Sequence, residues 1–474
     1  MNRVTKSVRA AAVVLTCAAT LLLAARQINS RPTTVIPDAP SVTPSVADSE
    51  LFQRAKVWNA ELTFAPAQWT ALEPSRHEPT GRPIRATVDW AQGREGERNG
   101  WASANGIEYQ YVHANLAFDG AVLRDVAVRY KGNASFIEQR SGSPKYSFKI
   151  DLNKYVKGQK IAGVTTLNLH ADAADPSWMN EALAYWLYQD AGVAAPRTSY
   201  VRLWLTVTGQ FTRRYAGLYS LVENVDDNFL ETHFHSSTGS LLKPVTMQPF
   251  SDLGDDWASY NQTYDPKKEL SGAAKARIIK FCKFVSHANA TEFATRIGEY
   301  VDLDQFARYL AVVVWINNWD SILWNGQNYY VFMPAETGRL LFIPWDQDFS
   351  FDNYLSQQGR GRAATGDIYR PWPRPVSFLD RMMSVPAFRA RYLTHMRELN
   401  GMLLRSPRFA TQAAELARAI RPAVLDEPLR AERGMTGARR PIDIFDQLVA
   451  GQAGAIPYGT ARAASVAGQL DQAR

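Results

Sequence analysis

The chain has 474 residues, more than one hydrophobic core usually serves, and this length predicts two packed lobes. Hydrophobic residues make up 46% and charged residues 21%, which excludes global disorder, collagen-like repeats and a polytopic membrane protein. The formal charge of +7 does not point to nucleic acid, because Arg3, Lys6, Arg9, Arg26 and Arg31 stand without an acid in the first 31 residues and the remainder is close to neutral.

The basic start is followed by an uninterrupted weakly apolar run, Ala10 to Ala25, too short for a spanning helix and suited to a signal-peptide core. Leu23-Ala24-Ala25 is a poor cleavage site, so residues 1–31 are expected to be either a signal peptide or an uncleaved anchor. The expected location is exported: periplasmic, extracellular or N-terminally membrane-anchored. Cys17 lies in this run and Cys282 is the one other cysteine, too few for a zinc site. Residues 32–50 are rich in Pro, Ser and Thr and form a spacer.

From Leu51 the pattern is strand-rich. Ala86–Trp90, Tyr109–Leu116, Val126–Lys131 and Tyr146–Leu152 alternate with a period of two. Residues 176–191 predict a helix with Asp175 as N-cap and Gly192 at its end, followed by strands Thr198–Val207 and Tyr215–Val222. Beyond Glu223 the spacing turns helical, over about 268–296, 302–316 and most of 376–423. A strand pair, Asn328–Met333 and Arg339–Pro344, interrupts these helices. The Ala/Arg-rich residues 431–474 predict a solvated helix and a loose tail. The order is α+β: a sheet-rich N-terminal lobe (51–224), then a helical C-terminal lobe (225–430), the order in which protein kinases are built.

The densest polar cluster surrounds the strand pair. Asp320 follows an apolar helix, Asn328 opens a strand, and Asp346 and Asp348 close the partner strand on one face. Hard oxygen ligands in few side chains suit Mg²⁺ with phosphate. Phosphoryl transfer by kinases asks for an Asp at the hydroxyl and an Asn plus an Asp on metal. Singly, each is as well explained as a turn residue. Asn325, five residues after Asp320, competes with Asn328.

A second cluster runs from Arg129 to Ser135. The turn formed by Lys131, Gly132, Asn133 and Ser135 can present backbone N–H groups to phosphate. The strand after it puts Lys145, Ser147, Lys149 and Asp151 on one face, where a lysine can neutralise phosphate charge; the bland alternative is an edge hairpin guarded by lysines. Glu181 on the predicted helix is a candidate partner for that lysine, with a surface acid as the equal alternative, and Glu223 stands where a linker between lobes would touch a nucleotide base. His170, His233 and His235 are too scattered for a metal claim. Neither GxGxxG nor GxxxxGK[ST] occurs, which excludes a standard kinase glycine loop or P-loop.

These segments together resemble the CotH kinase family, exported atypical protein kinases first associated with spore coats. The matching pieces are Arg129–Ser135, Lys145–Lys149, Asp175–Ala184, Gly217–Asp226, Asn318-Trp-Asp320, Asn328–Phe332, Ile343–Phe351, Phe378–Met383 and Phe388–Tyr392, in order over roughly 55–400. The resemblance implies a two-lobed protein-kinase-like fold that binds ATP with Mg²⁺ or Mn²⁺ and transfers phosphate to Ser or Thr of a protein acceptor. It implies Asp320 as the catalytic aspartate, Asn328, Asp346 and Asp348 on metal, Lys145 or Lys149 on phosphate, and the Lys131–Ser135 turn above it. Ala134 stands where many members have Ser, and Gln347-Asp348-Phe349 replaces the Phe-Gly of standard kinases after Asp346. The alternative is a catalytically weak nucleotide-binding scaffold of the envelope or spore coat on the same fold. Nucleic acid is not expected as a partner, and membrane contact is expected only through the N-terminal segment.

Overall fold

The computed structural model describes residues 50–79, 93, 97–133, 136, 145–351, 363–372, 374–405, 407–428, 440–450 and 454–472. The export segment, the spacer, the predicted strand Ala86–Trp90 and Ser135 lie outside the described residues.

Seven strands close a barrel: β1 (Val57–Phe64), β2 (Val112–Phe118), β3 (Ala121–Lys131), β4 (Ser147–Asp151), β5 (Thr166–His170), β6 (Thr198–Val207) and β7 (Phe211–Val222), in the order β1-β2-β3-β4-β5-β7-β6. Neighbours are antiparallel except β1 and β6, whose parallel pairing completes the ring. Closure leaves no free edge. It also explains the alternation: in β2 every second residue from Val112 to Phe118 is buried. The inward side chains, among them Val128, Tyr130, Phe148, Ile150, Leu167, Leu169 and Leu203, form one core cluster. Arg129, Lys149 and Asn168 therefore share the outer face, side by side in register.

Between β5 and β6 the chain makes helix α1 (Asn180–Asp190). The sequence predicts its start at Pro176, but Asp175 Oδ1 accepts from the Ser177 backbone N–H and Oδ2 from that of Asn180, and Trp178 takes φ 55°, so the helix begins later. A helix over 268–296 resolves into Gly272–His287 and Ala290–Arg296, because Asn289 caps a new helix through the Glu292 N–H. The expected helix 376–423 becomes Ser377–Ser384, Pro386–Arg405 and Arg408–Leu425, with Pro386 opening the second and Pro407 preceding the third. The strand pair, Tyr329–Pro334 with Leu341–Pro344, gains a third strand, Gly239–Leu242, along its other edge. Among the described residues no helix is long and apolar enough to cross a membrane.

Helix α2 (Leu303–Trp315) is the axis of the helical half, with Val312, Val313, Val314 and Trp315 fully buried. Tyr309 stacks on Tyr188 of α1 at 5.6 Å, so α1 belongs to this second core and not to the barrel.

The C-terminal residues depart from the expected loose tail. Helix α3 (Ala455–Gln472) buries Tyr458, Arg462, Ala463, Val466 and Leu470. Arg462 is fully buried and has no carboxylate partner among the described residues. Its guanidinium donates to Trp315 O (3.2 Å), Val314 O (3.0 Å), Ala364 O (3.3 Å) and Gly366 O (2.6 Å). It caps the carbonyl end of α2, where the helix dipole favours a cation. Arg462→Met keeps most of the apolar stem but leaves these acceptors without a donor. It is expected to cost about 2–4 kcal/mol in urea denaturation; a loss near zero would show that α3 is not needed to cap α2.

Candidate functional site

The expected catalytic segment leaves α2 through Ile316 and turns sharply. Asn317 takes φ 51° and Asn328 φ 60°. Both are asparagines, which tolerate this left-handed region better than most residues. Between them Gly326 (φ 61°) passes so close to Thr246 that any Cβ would sit 1.5 Å from its carbonyl oxygen. The loop this closes points three amides at one carboxylate. Asn325 Nδ2 (2.6 Å) and Gln327 Nε2 (2.8 Å) donate to Asp320 Oδ1, and Asn328 Nδ2 donates to Oδ2 (2.9 Å). Asn325 and Asn328, the two candidates for one role in the sequence, therefore both hold Asp320. The Asn328 Oδ1 accepts no hydrogen bond among the described residues and remains a free oxygen donor.

Gln327 is a residue that the sequence does not single out. Its Oε1 also accepts from Asn133 Nδ2 (3.4 Å), which links the Gly132-Asn133 turn to Asp320. Gly132, at φ 119°, accepts a bond from the Tyr109 hydroxyl on its carbonyl. Asn133 Oδ1 is committed to the Ala102 N–H (2.7 Å).

Asp346 and Asp348 stand half-buried after the last strand of the small sheet, and helix α1 holds their loop. The Tyr185 hydroxyl accepts from the Asp346 N–H (3.0 Å) and donates to Glu181 Oε1 (2.9 Å). Asn180 Nδ2 donates to Asp348 O (3.2 Å) and Ser350 O (3.0 Å). Burial pushes the Asp320, Asp346 and Asp348 carboxyls up. Their negative neighbours add to this: Asp346, Glu181, Asp320 and Asp172 around Asp348, and Glu181 around Asp346. Asp172, buried at φ 50° and bonded to Ser220, is a member of this acidic group that no sequence motif announces.

Glu181 does not pair with Lys145 or Lys149. Its Oε2 accepts from His170 Nδ1 (2.8 Å), and His170 Nε2 meets Lys131 Nζ (2.5 Å). Burial raises the Glu181 carboxyl, but His170, Tyr185 and Lys131 outweigh it and hold it below the usual range. His170, discounted in the sequence, thus lies inside the site, and its ligand atoms lie within 4.8 Å of those of Glu181 and Asp346. Hard carboxylate oxygens on Asp346 and Asp348, the open Asn328 Oδ1, and the mutual repulsion of the acids fit a divalent cation. Lys131 is pushed down to about 7 by burial, with Asp346 and Glu181 opposing.

Two expected nucleotide contacts are committed elsewhere. Lys145, buried, donates to Glu427 Oε1 (2.6 Å) and to Leu218 O, because the end of the helix Arg408–Leu425 delivers Glu427 beside β7. Glu223 is buried and its carboxylate takes Arg197 Nη2 (2.5 Å) and His233 Nε2 (3.2 Å), which leaves no oxygen turned to a base. Lys149 differs. It lies directly opposite Arg129 across the β3–β4 ladder and has no hydrogen bond or ion pair among the described residues.

A comparison with protein families matches residues 128–438 to the CotH kinase protein model, more than half of the chain and every carboxylate and lysine of the site just described. The chain belongs to the CotH kinase protein family. Its fold is accordingly the mixed α+β, kinase-like one that the resemblance implies. The Inner spore coat protein H-like protein of Bacillus subtilis (strain 168) is 28% identical over 269 residues, which span 56% of this chain and 69% of that protein. The Inner spore coat protein H of the same organism is 23% identical over 202 residues, 41% of this chain and 52% of that protein. Among solved structures, the Shewanella oneidensis MR-1 toxin–antitoxin system HipA, HipB and operator DNA complex aligns over 76% of this chain and 77% of that one, at 12% identity and a TM-score of 0.29.

In this chain, burial and then the Arg129 charge push Lys149 down to about 8. A lysine lowered in the fold binds fewer protons than it does unfolded, so it costs stability below its folded value and the cost fades toward the unfolded value of 10.5. Wild-type stability is therefore expected to rise between about pH 8 and 10.5 by an increment that Lys149→Met lacks, and the variant to be the more stable at neutral pH. Urea titrations of both proteins at pH 7 and pH 10 check this.

Proposed function

We propose that this chain is an ATP-dependent phosphotransferase acting on Ser or Thr hydroxyls of an exported or envelope protein. The observation that carries the reading is the convergence, at the junction of barrel and helical half, of Asp320 held by three amides with the Asp346 and Asp348 loop held by α1. Family membership supports the same reading.

The Asn325, Gln327 and Asn328 amides aim the Asp320 carboxylate and restrict its rotation, so that it can orient an acceptor hydroxyl and take its proton. Asp346, Asp348 and the Asn328 Oδ1 would hold Mg²⁺ or Mn²⁺, which supplies neutralisation of phosphate charge when bound. Lys131, steadied by the His170–Glu181 pair, presents a cation beside Asp346. Phosphoryl transfer rests on positioning and charge neutralisation, and these residues supply both. The apolar run at Ala10–Ala25 and the coat-protein names of the Bacillus subtilis relatives favour an envelope or coat location.

The test is transfer of label from γ-labelled ATP to protein acceptors with Mg²⁺ or Mn²⁺. Asp320→Asn and Asp346→Ala are each expected to lower the rate by about 10³-fold or more. Full turnover by Asp346→Ala would overturn the assignment. A parent protein that ATP stabilises against heat without transferring label would favour a nucleotide-binding coat protein.

A further inference from the structure

Three aromatic rings in mutual contact adjoin the acidic site, and each is the chain neighbour of a residue that builds it. Trp319 precedes Asp320, Trp324 precedes Asn325 and Phe349 follows Asp348. The Trp319 ring touches both others, its centre 5.4 Å from that of Trp324 at 65° and 6.0 Å from that of Phe349 at 68°. The rings therefore form one continuous apolar surface from the Asp348 loop to the Asp320 loop. Its contacts are edge-to-face, so neighbouring rings stand at an angle and make a stepped wall rather than a flat plate.

Trp324 is the open end of this surface. It is 38% exposed, and among the described residues it is the one exposed Phe, Tyr or Trp; the other exposed large apolar side chains, Val156, Leu404 and Leu425, are aliphatic. Its backbone is nonetheless fixed. The Trp324 carbonyl accepts from Arg374 Nη2, and Arg374 Nη1 donates to Met247 O (3.1 Å). The two residues that follow are Asn325, which holds Asp320, and Gly326, which is pressed against Thr246. An indole held in place in water gains by having its apolar area covered, and covering it orders little that is still free.

The polar side chains around Trp324 indicate what kind of group covers it. Asn325 Nδ2 is committed to Asp320, and Arg374 Nη1 and Nη2 to two carbonyls. Gln248, beside Arg374, donates to Pro375 O (2.9 Å) and accepts from the Ser377 N–H (3.2 Å). A sugar ring laid on an indole asks for open donors and acceptors beside it, whereas an apolar side chain asks for none.

We propose that Trp324, backed by Trp319 and Phe349, selects the acceptor by receiving an aromatic or large aliphatic side chain of the acceptor polypeptide. This rests on the phosphotransferase reading of the same site and adds a preference that no sequence motif assigns. Asn325 Nδ2 lies 2.6 Å from the Asp320 carboxylate, so Trp324 stands one residue from a group that touches the base. An extended acceptor advances ~3.3 Å per residue, which puts the received side chain within about three residues of the hydroxyl that meets Asp320.

The test uses the full chain, γ-labelled ATP with Mg²⁺ or Mn²⁺, and synthetic peptides with one Ser in an Ala and Lys background. Phe is placed in turn at each of the nearest positions on either side of the Ser. At one position or more, Phe is expected to lower KM about tenfold against the Ala counterpart, with kcat little changed. Trp324→Ala is expected to erase that difference and Trp324→Leu to keep part of it, both melting with the parent because the ring is exposed. Leu404→Ala, at another exposed apolar residue on the helix Pro386–Arg405, serves as the unaffected control. Label transfer with no advantage for any Phe peptide, or with an advantage that Trp324→Ala keeps, overturns the inference and leaves the phosphotransferase reading standing. A parent that transfers no label but binds a Phe peptide in calorimetry, more tightly than its Ala counterpart and only while Trp324 is present, supports the surface and removes that reading. Binding of a chito-oligosaccharide that Trp324→Ala abolishes, with no preference for Phe, overturns the inference in favour of a sugar ligand. Neither transfer nor peptide binding overturns both.

Discussion

The Tyr185 hydroxyl is the hinge pin between the two halves of the molecule. It donates to Glu181 and accepts from the Asp346 backbone, while Glu181 takes the His170 ring from the last residue of β5. One short chain of hydrogen bonds thus ties the barrel, helix α1 and the acidic loop into a fixed geometry. All of its members are buried or half-buried, where a hydrogen bond is stronger than in water and its loss leaves a desolvated group behind. The acids of the site depend on it: without α1 the loop 345–350 would lose the Tyr185 contact to Asp346 and both Asn180 contacts.

Part of the molecule's backbone strain lies in the same place. Asp172, Asn317, Asn328, Asp346 and Phe351 all take positive φ. Such conformations cost of order 1–3 kcal/mol each and persist where the surroundings over-determine them. Here the surroundings are the packed α2, capped by Arg462, and the small three-stranded sheet. The molecule tolerates strain and unrelieved charge at the junction, and binds both halves tightly elsewhere. That division is what a site prepared for a charged ligand requires.

Charge pairing separates residues that look alike in sequence. Lys145 and Lys149 stand four residues apart in sequence, yet Glu427, more than two hundred residues away, closes on the first, which lies just ahead of β4, and nothing among the described residues forms an ion pair with the second. Glu223 has the same history, since Arg197 and His233 reach it from either side. His170 shows the reverse: it carries no pattern in sequence and becomes a partner of Lys131, which reaches it from β3 across β4, and of Glu181 on α1.

The sequence by itself determined the α+β order, the family, and the local clusters around Asp320, Asn328 and Asp346-Gln-Asp348, because alternation, capping and short-range spacing are local properties of the chain. Strands at Thr198–Val207 and Tyr329–Pro334 and the helix at Leu303–Trp315 fall within a few residues of where periodicity puts them. Closure of the barrel, the breaks in the long helices and the burial of α3 were not legible there, since each depends on what another segment brings against it. The same holds for the site. Which carboxylate faces which cation, and why Gln327 belongs with Asp320 while Lys145 does not, were decided only by the tertiary structure. Electrostatic partners are chosen by distance in space, and the chain encodes that distance through packing rather than through position along it.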